Sequence, residues 1–337
     1  MDKNKSATKY NSIIGILLCL FIAMPAWFLG RQFPIIGSPV IAIIFGLIIA
    51  TYPRNSRFEP GIKFTSKKLL QLAIVLLGFG MNFFEIFKVG SQTLLIIIST
   101  ISVALIVTYL LNKIMKAPVK TSILVGVGSS ICGGSAIAAT APVIDADYDE
   151  IATSISVIFL FNVVAAFLFP IVGRLIGLSD IGFGMWAGTA INDTSSVVAA
   201  ATTWSVSAGS DVALNYATIV KLTRTLAIIP ITIILGSYRS YKEKSNSNIN
   251  ILKIFPWFIM FFLAAAVLNT VFNIPSELSK QFTQAGKFFI TMAMVAIGLN
   301  TNISKLIKTG GKFIVIGFSC WVSIALVSLF MQSLLGF

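Results

Sequence analysis

Residues 126–139 read GVGSSICGGSAIAA and lie in the middle of an apolar segment, 121–143. A second stretch, residues 186–200, reads WAGTAINDTSSVVAA and lies in the middle of the apolar segment 181–203. Each glycine weakens a helix by about 1 kcal/mol relative to alanine, and Asn, Asp, Thr and Ser are the residues that begin a new helix as N-caps. Both stretches therefore predict a helix that is interrupted inside a hydrophobic segment.

The composition of the whole chain is that of a membrane protein. Of its 337 residues, 56% are apolar and 11% are charged, and the mean hydropathy is +0.92. A soluble domain carries about 25% charged residues, so an ordinary soluble enzyme, a nucleic-acid-binding module and a disordered protein are excluded. The chain contains no histidine, which excludes Ser-His-Asp and Cys-His catalysis and histidine metal sites. We expect no cofactor, no metal site and no nucleic-acid partner.

Hydropathy predicts an all-α integral membrane protein with about eleven transmembrane helices, whose surrounding partner is the lipid bilayer. The apolar segments are 12–29, 35–51, 69–83, 91–111, 121–143, 151–173, 181–203, 212–237, 254–272, 288–300 and 313–336. If the N-terminus is cytoplasmic, 19 of the 25 Lys and Arg residues fall in cytoplasmic segments, as the positive-inside rule requires. The outer loops then hold Arg31, Lys88, Lys280 and Lys287. An odd number of spans places the C-terminus outside.

Two internal matches indicate repeats. Residues 67–90 match 287–310 with seven identical pairs, and the predicted topology gives these two copies opposite orientations. Inverted repeats are typical of secondary transporters. The predicted organisation is one polytopic membrane domain, 1–337, with an N-terminal helix in 1–33, a first repeat half in 34–175 and a second in 181–337.

The second match is weaker and relates residues 126–142 to 186–202, with five identical pairs. The predicted topology gives these copies the same orientation, so this pair does not fit a simple inversion. Either the number of spans between the copies is wrong, or two helix breaks rich in small residues simply look alike. Both alternatives stay open.

Three formal charges lie deep inside predicted spans, namely Asp193, Lys221 and Arg224. Each costs about 2.5–3.5 kcal/mol at the centre of a membrane helix on insertion scales, so three together require a reason. An ion pair of Asp193 with one cation still leaves one positive charge, which would attract an anionic substrate. Arg224 could bind a carboxylate, sulfonate or sulfate through two parallel hydrogen bonds. Asp193 could carry a coupling H⁺ or Na⁺, or it could only hold Lys221 in place.

A substrate site between half-helices follows from these features, because the N-terminal ends of half-helices present free N–H groups and a positive dipole to an anion. The predicted substrate-binding residues are Ser129, Ser130, Cys132, Gly133, Gly134, Ser135, Asn192, Thr194, Ser195, Ser196, Lys221 and Arg224. Asp193 is the predicted ion-coupling residue, and the predicted supporting residues are Asn82, Asn162, Asn300 and Asn302. The alternatives are close packing of small residues at the breaks and helix capping by the asparagines at 82, 300 and 302.

The sequence favours a secondary transporter that exports a small anion by alternating access around the two broken helices, and we expect no enzymatic activity. The alternative is a sodium or proton antiporter centred on Asp193. A passive channel fits less well, as does an intramembrane enzyme with Ser135 or Cys132 as nucleophile. No histidine could act as its base, although Ser135 could pair with Lys221. No ATP-binding motif of the P-loop type is present, so transport would use a gradient. The oligomeric state does not follow from the sequence, and a homodimer stays open.

Five stretches of the chain resemble one family. They are LGFGMN (77–82), SICGGSAIAA (130–139), GTAINDTSSVVAA (188–200), KLTR (221–224) and AIGLN (296–300). The resemblance covers nearly the whole chain and is to the YeiH family of bacterial inner-membrane proteins, also called UPF0324. Some of its members are linked to the export of sulfate or organosulfonates, so the resemblance implies a multi-pass protein of the bacterial inner (plasma) membrane and an anionic substrate.

A more remote similarity relates the order of segments in 69–173 to folds of the bile-acid-symporter and sodium/proton-antiporter type. Those folds pair a panel domain with a core domain that contains two crossing broken helices. This chain departs from that pattern, because its second break precedes its second Gly-Asn motif instead of following it.

Overall fold

The computed structural model describes residues 2–33, 38–53, 55–243, 257–301 and 311–337, and all regular secondary structure within these ranges is helical. The helices are α1 (Asp2–Gln32), α2 (Ser38–Ala50), α3 (Glu59–Phe64), α4 (Leu70–Gly78), α5 (Phe83–Met115), α6 (Val119–Ser130), α7 (Gly134–Thr140), α8 (Tyr148–Leu175), α9 (Asp180–Ala190), α10 (Thr194–Ala208), α11 (Val212–Thr225), α12 (Ile228–Glu243), α13 (Trp257–Phe272), α14 (Ser276–Asn300) and α15 (Gly311–Leu335). A short 3₁₀ turn, Ser56–Phe58, and a π-helical turn, Thr65–Leu69, flank α3. Every apolar segment that the sequence predicts overlaps at least one of these helices.

In the part of the chain that the structure describes, six helical stretches are long and apolar enough to cross a membrane by length and composition. They are Ser12–Gln32, Phe83–Met115, Asp149–Leu175, Val212–Leu235, Ser276–Asn300 and Gly311–Leu335. Two shorter apolar helices, α2 and α13, accompany them. The predicted segments 121–143 and 181–203 are absent from the long set because each of them is interrupted, as the sequence predicts.

Helix α14 differs from its prediction, because it begins at Ser276 and not near residue 288. Pro275 is the N-cap residue and Glu277 lies in the first turn, where the positive end of the helix dipole stabilises a carboxylate. The polar first turns lower the hydropathy and hide the start of the helix from a hydropathy reading. Lys280 and Lys287 consequently lie within the helix, where the sequence predicted an outer loop, and Lys88 likewise lies within α5.

The chain forms two compact units, each assembled from separate stretches. Unit 1 comprises Met1–Phe87, Val198–Asn215 and Trp257–Asn302, and unit 2 comprises Lys88–Val197, Tyr216–Pro256 and Ile303–Phe337. The predicted repeat halves are contiguous stretches of sequence, and nothing in this division tests them, so they stay a prediction.

Unit 1 is organised around α14, which packs against α1, α2 and α4. Gly46 of α2 faces Gly298 of α14 so closely that a Cβ atom on Gly46 would lie 2.9 Å from the Cα atom of Gly298. Small residues allow membrane helices to approach at this distance and gain packing energy.

Unit 2 is organised around α15, which packs against α6, α8 and α9. Trp186 of α9 donates a hydrogen bond through Nε1 to the carbonyl oxygen of Ala325 at 3.1 Å. The hydroxyl groups of Thr189 and Ser328 are 2.6 Å apart and share a hydrogen bond. These polar contacts between apolar helices fix α9 against α15.

Candidate functional site

The first helix break separates α6 from α7. Helix α6 ends at Ser130 and α7 begins at Gly134, so the break consists of Ile131, Cys132 and Gly133. Gly133 has a φ of +68°, a conformation that residues with a side chain rarely adopt. A Cβ atom at this glycine would also lie 3.4 Å from the Cβ atom of Asp193. The first break therefore requires glycine for its backbone conformation and lies against the second break.

The second break separates α9 from α10 and consists of Ile191, Asn192 and Asp193. The Asp193 carboxylate accepts hydrogen bonds from the Ser195 backbone N–H, at 3.1 Å, and from the Ser195 hydroxyl group. Asp193 thus acts as the N-cap of α10, the role for which Asp is favoured. Its own N–H donates to Oδ1 of Asn162 at 3.0 Å. Asn162 therefore lies at the break, where its amide oxygen accepts a hydrogen bond from the Asp193 N–H.

The two breaks occupy equivalent positions in the weaker sequence match. Helices α6 and α9 end 60 residues apart, and α7 and α10 begin 60 residues apart. Each break is three residues long, so Cys132 corresponds to Asn192 and Gly133 corresponds to Asp193. The match thus aligns structural breaks and not merely stretches of similar composition.

Lys221, on α11, contacts both breaks. Its Nζ atom donates to the carbonyl oxygens of Ile131, at 2.7 Å, and Ile191, at 3.0 Å. These two isoleucines are the corresponding first residues of the two breaks. One ammonium group therefore satisfies the same backbone carbonyl in each interrupted helix.

Arg224 lies one turn further along α11 and repeats this arrangement. Its Nε atom donates to the carbonyl oxygen of Ser130 at 2.7 Å, and one terminal nitrogen donates to the carbonyl oxygen of Ser129 at 3.1 Å. The other terminal nitrogen donates to the carbonyl oxygen of Thr189, which corresponds to Ser129 in the match. The guanidinium group thus joins the last turns of α6 and α9.

The helix ends explain why these two cations are tolerated in a membrane protein. The last carbonyl groups of a helix have no partner within the helix and carry the negative end of its dipole. Lys221 and Arg224 are both completely buried, and each donates to carbonyls of two helix C-termini. Charged hydrogen bonds to these carbonyls offset the cost of removing the cations from water.

This arrangement differs from the expectation that both cations face the substrate and that both half-helix N-termini are free. The N-terminus of α10 is already capped by Asp193, and the cations donate to backbone carbonyls. Among the described residues, no ion pair within 4 Å joins Asp193 to Lys221 or to Arg224. Sequence reasoning missed these bonds because it counted formal charges and not the partial charges of carbonyls at broken helix ends.

The other predicted site residues of unit 2 divide by exposure. The residues that are fully or nearly fully buried are Ser129, Ser130, Cys132, Gly133, Asn192, Ser195 and Ser196. Gly134, Asp193 and Thr194 are half-buried, and Ser135 is exposed. The structure therefore brings the twelve predicted substrate-binding residues and Asp193 into one region of unit 2, at or beside the two breaks.

The remaining asparagines belong to unit 1 or are outside the described residues. Asn82 accepts a hydrogen bond from the backbone N–H of Phe84 at 2.8 Å, as a helix cap does. Asn300 is the exposed last residue of α14. Asn302 lies outside the described residues. The capping alternative therefore describes Asn82, and a supporting role for Asn82, Asn300 and Asn302 stays a prediction.

The comparisons with known proteins agree with the resemblance seen in the sequence. Residues 14–317 match the family described as conserved hypothetical protein 698. A UPF0324 membrane protein of Streptococcus pyogenes serotype M18 is 56% identical over 98% of this chain and 99% of its own. Others from Streptococcus agalactiae serotype V (53% identical, 96% and 98% covered) and Fusobacterium nucleatum (52% identical, 97% and 99% covered) are similar to it. No solved structure matches the chain. The chain belongs to the UPF0324 family of bacterial multi-pass membrane proteins.

Proposed function

We propose that this protein is a secondary transporter that moves a small anion, such as sulfate, an organosulfonate or a carboxylate, by alternating access around the two helix breaks. The observation that carries the proposal is the charge at the breaks. Two completely buried cations, Lys221 and Arg224, lie against the breaks, which contain one carboxylate, Asp193. A surplus of one positive charge in a protein interior favours an anionic ligand.

The cations retain hydrogen-bond donors for such a ligand. Arg224 has five N–H groups and uses three of them on backbone carbonyls. Lys221 has three and uses two. The carbonyl groups already hold both side chains in place, so binding of an anion to the unused donors requires little additional ordering.

We propose transport and not catalysis, with no cofactor, and export as the direction. The sequence contains no P-loop, so the substrate's own gradient or an ion gradient would drive the movement. Export is proposed from the resemblance to family members linked to the export of sulfate or organosulfonates.

Counterflow measures this activity directly. The purified full chain is reconstituted in liposomes that are loaded with unlabelled sulfate, ethanesulfonate, isethionate, propionate or lactate, and uptake of the same radiolabelled anion is followed. A transporter shows uptake that is accelerated by the anion inside, whereas a channel shows no such acceleration. Equal uptake in protein-free liposomes and in proteoliposomes for every small anion tried would refute the proposal.

A second candidate, a sodium or proton antiporter, has one observation in its favour. Asp193 is half-buried, whereas the two cations are completely buried, so an ion can reach this residue more easily than it can reach the cations. The substitution Asp193→Asn separates the two candidates, because Asn is also a good N-cap and keeps α10 in place. An anion transporter keeps anion counterflow when this negative charge is removed. An antiporter centred on Asp193 loses Na⁺- or H⁺-coupled flux, measured with a pH-sensitive dye inside the liposomes.

We also infer a cytoplasmic N-terminus and an outer C-terminus. The support is the distribution of Lys and Arg, since 19 of 25 fall in segments that this orientation places inside. A C-terminal alkaline phosphatase fusion is active only when it is exported, so an active fusion is expected. A fluorescent C-terminal green fluorescent protein fusion, together with an inactive phosphatase fusion, would show the opposite orientation.

A further inference from the structure

The Asn192 side chain is a buried amide without a partner. Its Nδ2 and Oδ1 atoms are both inaccessible, and neither has a hydrogen-bond partner among the described residues. The residue as a whole is 1% exposed. A buried polar group without a partner costs about 1–3 kcal/mol, and such groups in a native structure call for an explanation such as a ligand.

The backbone on both sides of Asn192 is held in place. Lys221 binds the carbonyl oxygen of Ile191, and Asn162 accepts the N–H of Asp193. Asn192 therefore presents an unused donor and an unused acceptor from a fixed position in the break. A preorganised group of this kind binds a ligand at little additional entropic cost.

Ser129, in the last turn of α6 before the first break, is a second buried group without a partner. Its hydroxyl oxygen is buried without a partner, although a helical serine can usually donate to its own helix. The neighbouring Ser130 does so, to the carbonyl oxygen of Val127 at 3.1 Å. Arg224 binds the carbonyl oxygens of both Ser129 and Thr189, so the last turns of α6 and α9 meet at this guanidinium group.

We propose that Asn192, together with Ser129, selects small anions that carry a hydrogen-bond donor of their own, a hydroxyl or an amino group. This inference rests on the proposed anion transport. An anionic oxygen accepts from Nδ2 of Asn192, but an anion without a donor leaves Oδ1 unpaired. Sites that hydrogen-bond a substrate hydroxyl discriminate strongly against analogues that lack it, because the buried protein group is then left without a partner. Sulfate and simple alkyl sulfonates or carboxylates would therefore be poorer substrates.

Matched anion pairs test the selection. Isethionate and ethanesulfonate differ by one hydroxyl group, as do lactate and propionate. In counterflow with the full chain in liposomes, we expect the hydroxylated member of at least one pair to have an apparent affinity at least about tenfold higher, since loss of one buried partner costs about that much. In the Asn192→Leu variant, which has a side chain of similar size, the ratio within that pair is expected to fall to near one.

A control variant and a stability measurement complete the test. Ser154 of α8 is buried, and its hydroxyl group donates to the carbonyl oxygen of Glu150 at 2.8 Å. Ser154→Ala is therefore expected to keep the wild-type ratio of apparent affinities within an anion pair. Ser129→Ala is expected to lower that ratio. Asn192→Leu is expected to melt at or above the wild-type temperature without ligand, because it removes an unpaired polar group. If Asn192→Leu does not fold, the Ser129→Ala and Ser154→Ala comparison decides.

The outcomes separate this inference from the proposed function. Equal affinities of wild-type protein for both members of each pair would overturn the selection but leave anion transport intact. An Asn192→Leu variant with the wild-type ratio would do the same. Absence of counterflow for every anion would overturn the proposed function, and the selection with it.

Discussion

The substitution Arg224→Met is the most direct test of the role assigned to the buried guanidinium group. It leaves three backbone carbonyl oxygens, those of Ser129, Ser130 and Thr189, without their charged donor. A hydrogen bond to a charged group contributes about 1.5–3 kcal/mol, so the three together amount to about 5–9 kcal/mol. Removal of the buried charge returns several kcal/mol of desolvation cost. We expect a net loss of about 3 kcal/mol or more in the free energy of unfolding.

The loss of stability is measured by thermal unfolding in detergent, in which the fraction of protein that stays monodisperse is determined after heating. Lys221→Met removes two hydrogen bonds to carbonyls and is expected to cost less than Arg224→Met. Arg224→Lys keeps the charge but loses the planar fork, so its melting temperature should lie between those of wild type and Arg224→Met. An Arg224→Met protein that melts at the wild-type temperature would refute the reasoning. Its carbonyls would then not need the guanidinium group, and Arg224 would be available mainly to the substrate.

Three further predictions concern stability and are measured in the same way. Gly298→Ala places a methyl group 2.5 Å from a backbone carbonyl oxygen of α2 and should lower the free energy of unfolding by about 1–3 kcal/mol. Gly311 has open space around it, so Gly311→Ala should be nearly neutral. Equal melting temperatures of the two variants would contradict the close contact in unit 1. Asp193→Ala should cost about 1 kcal/mol through the lost cap of α10, and Asp193→Asn clearly less; equal losses would argue against capping. The ion pair of Lys287 with Asp211, at 2.6 Å and partly exposed, should show a coupling of about 0.5–1 kcal/mol in a double-mutant cycle; it should weaken in high salt.

The positions of the helix breaks could be predicted from sequence because helix breaking is largely a local property. Adjacent glycines at 133 and 134, and the run Asn-Asp-Thr-Ser from 192 to 195, interrupt a helix whatever surrounds them. Burial of the chain in a membrane also follows from composition, because the hydropathy of each apolar segment can be recognised without knowledge of its neighbours in the fold. The start of α14 was missed because its first turns are polar, and a hydropathy reading recognises only the apolar part of a helix.

Sequence by itself therefore determined the membrane setting, the family, the two breaks and the three charges within apolar segments. Tertiary structure alone decided what those charges contact. Lys221 and Arg224 are about 30 to 95 residues from the carbonyl groups they bind, and backbone carbonyls are present at every residue, so no residue pattern marks the ones left unpaired at a helix end. The fold brings two such ends to one face of α11, and only there do buried cations become stabilising. The unpaired amide of Asn192 is likewise a consequence of packing, because solvent would satisfy the same side chain in any exposed position.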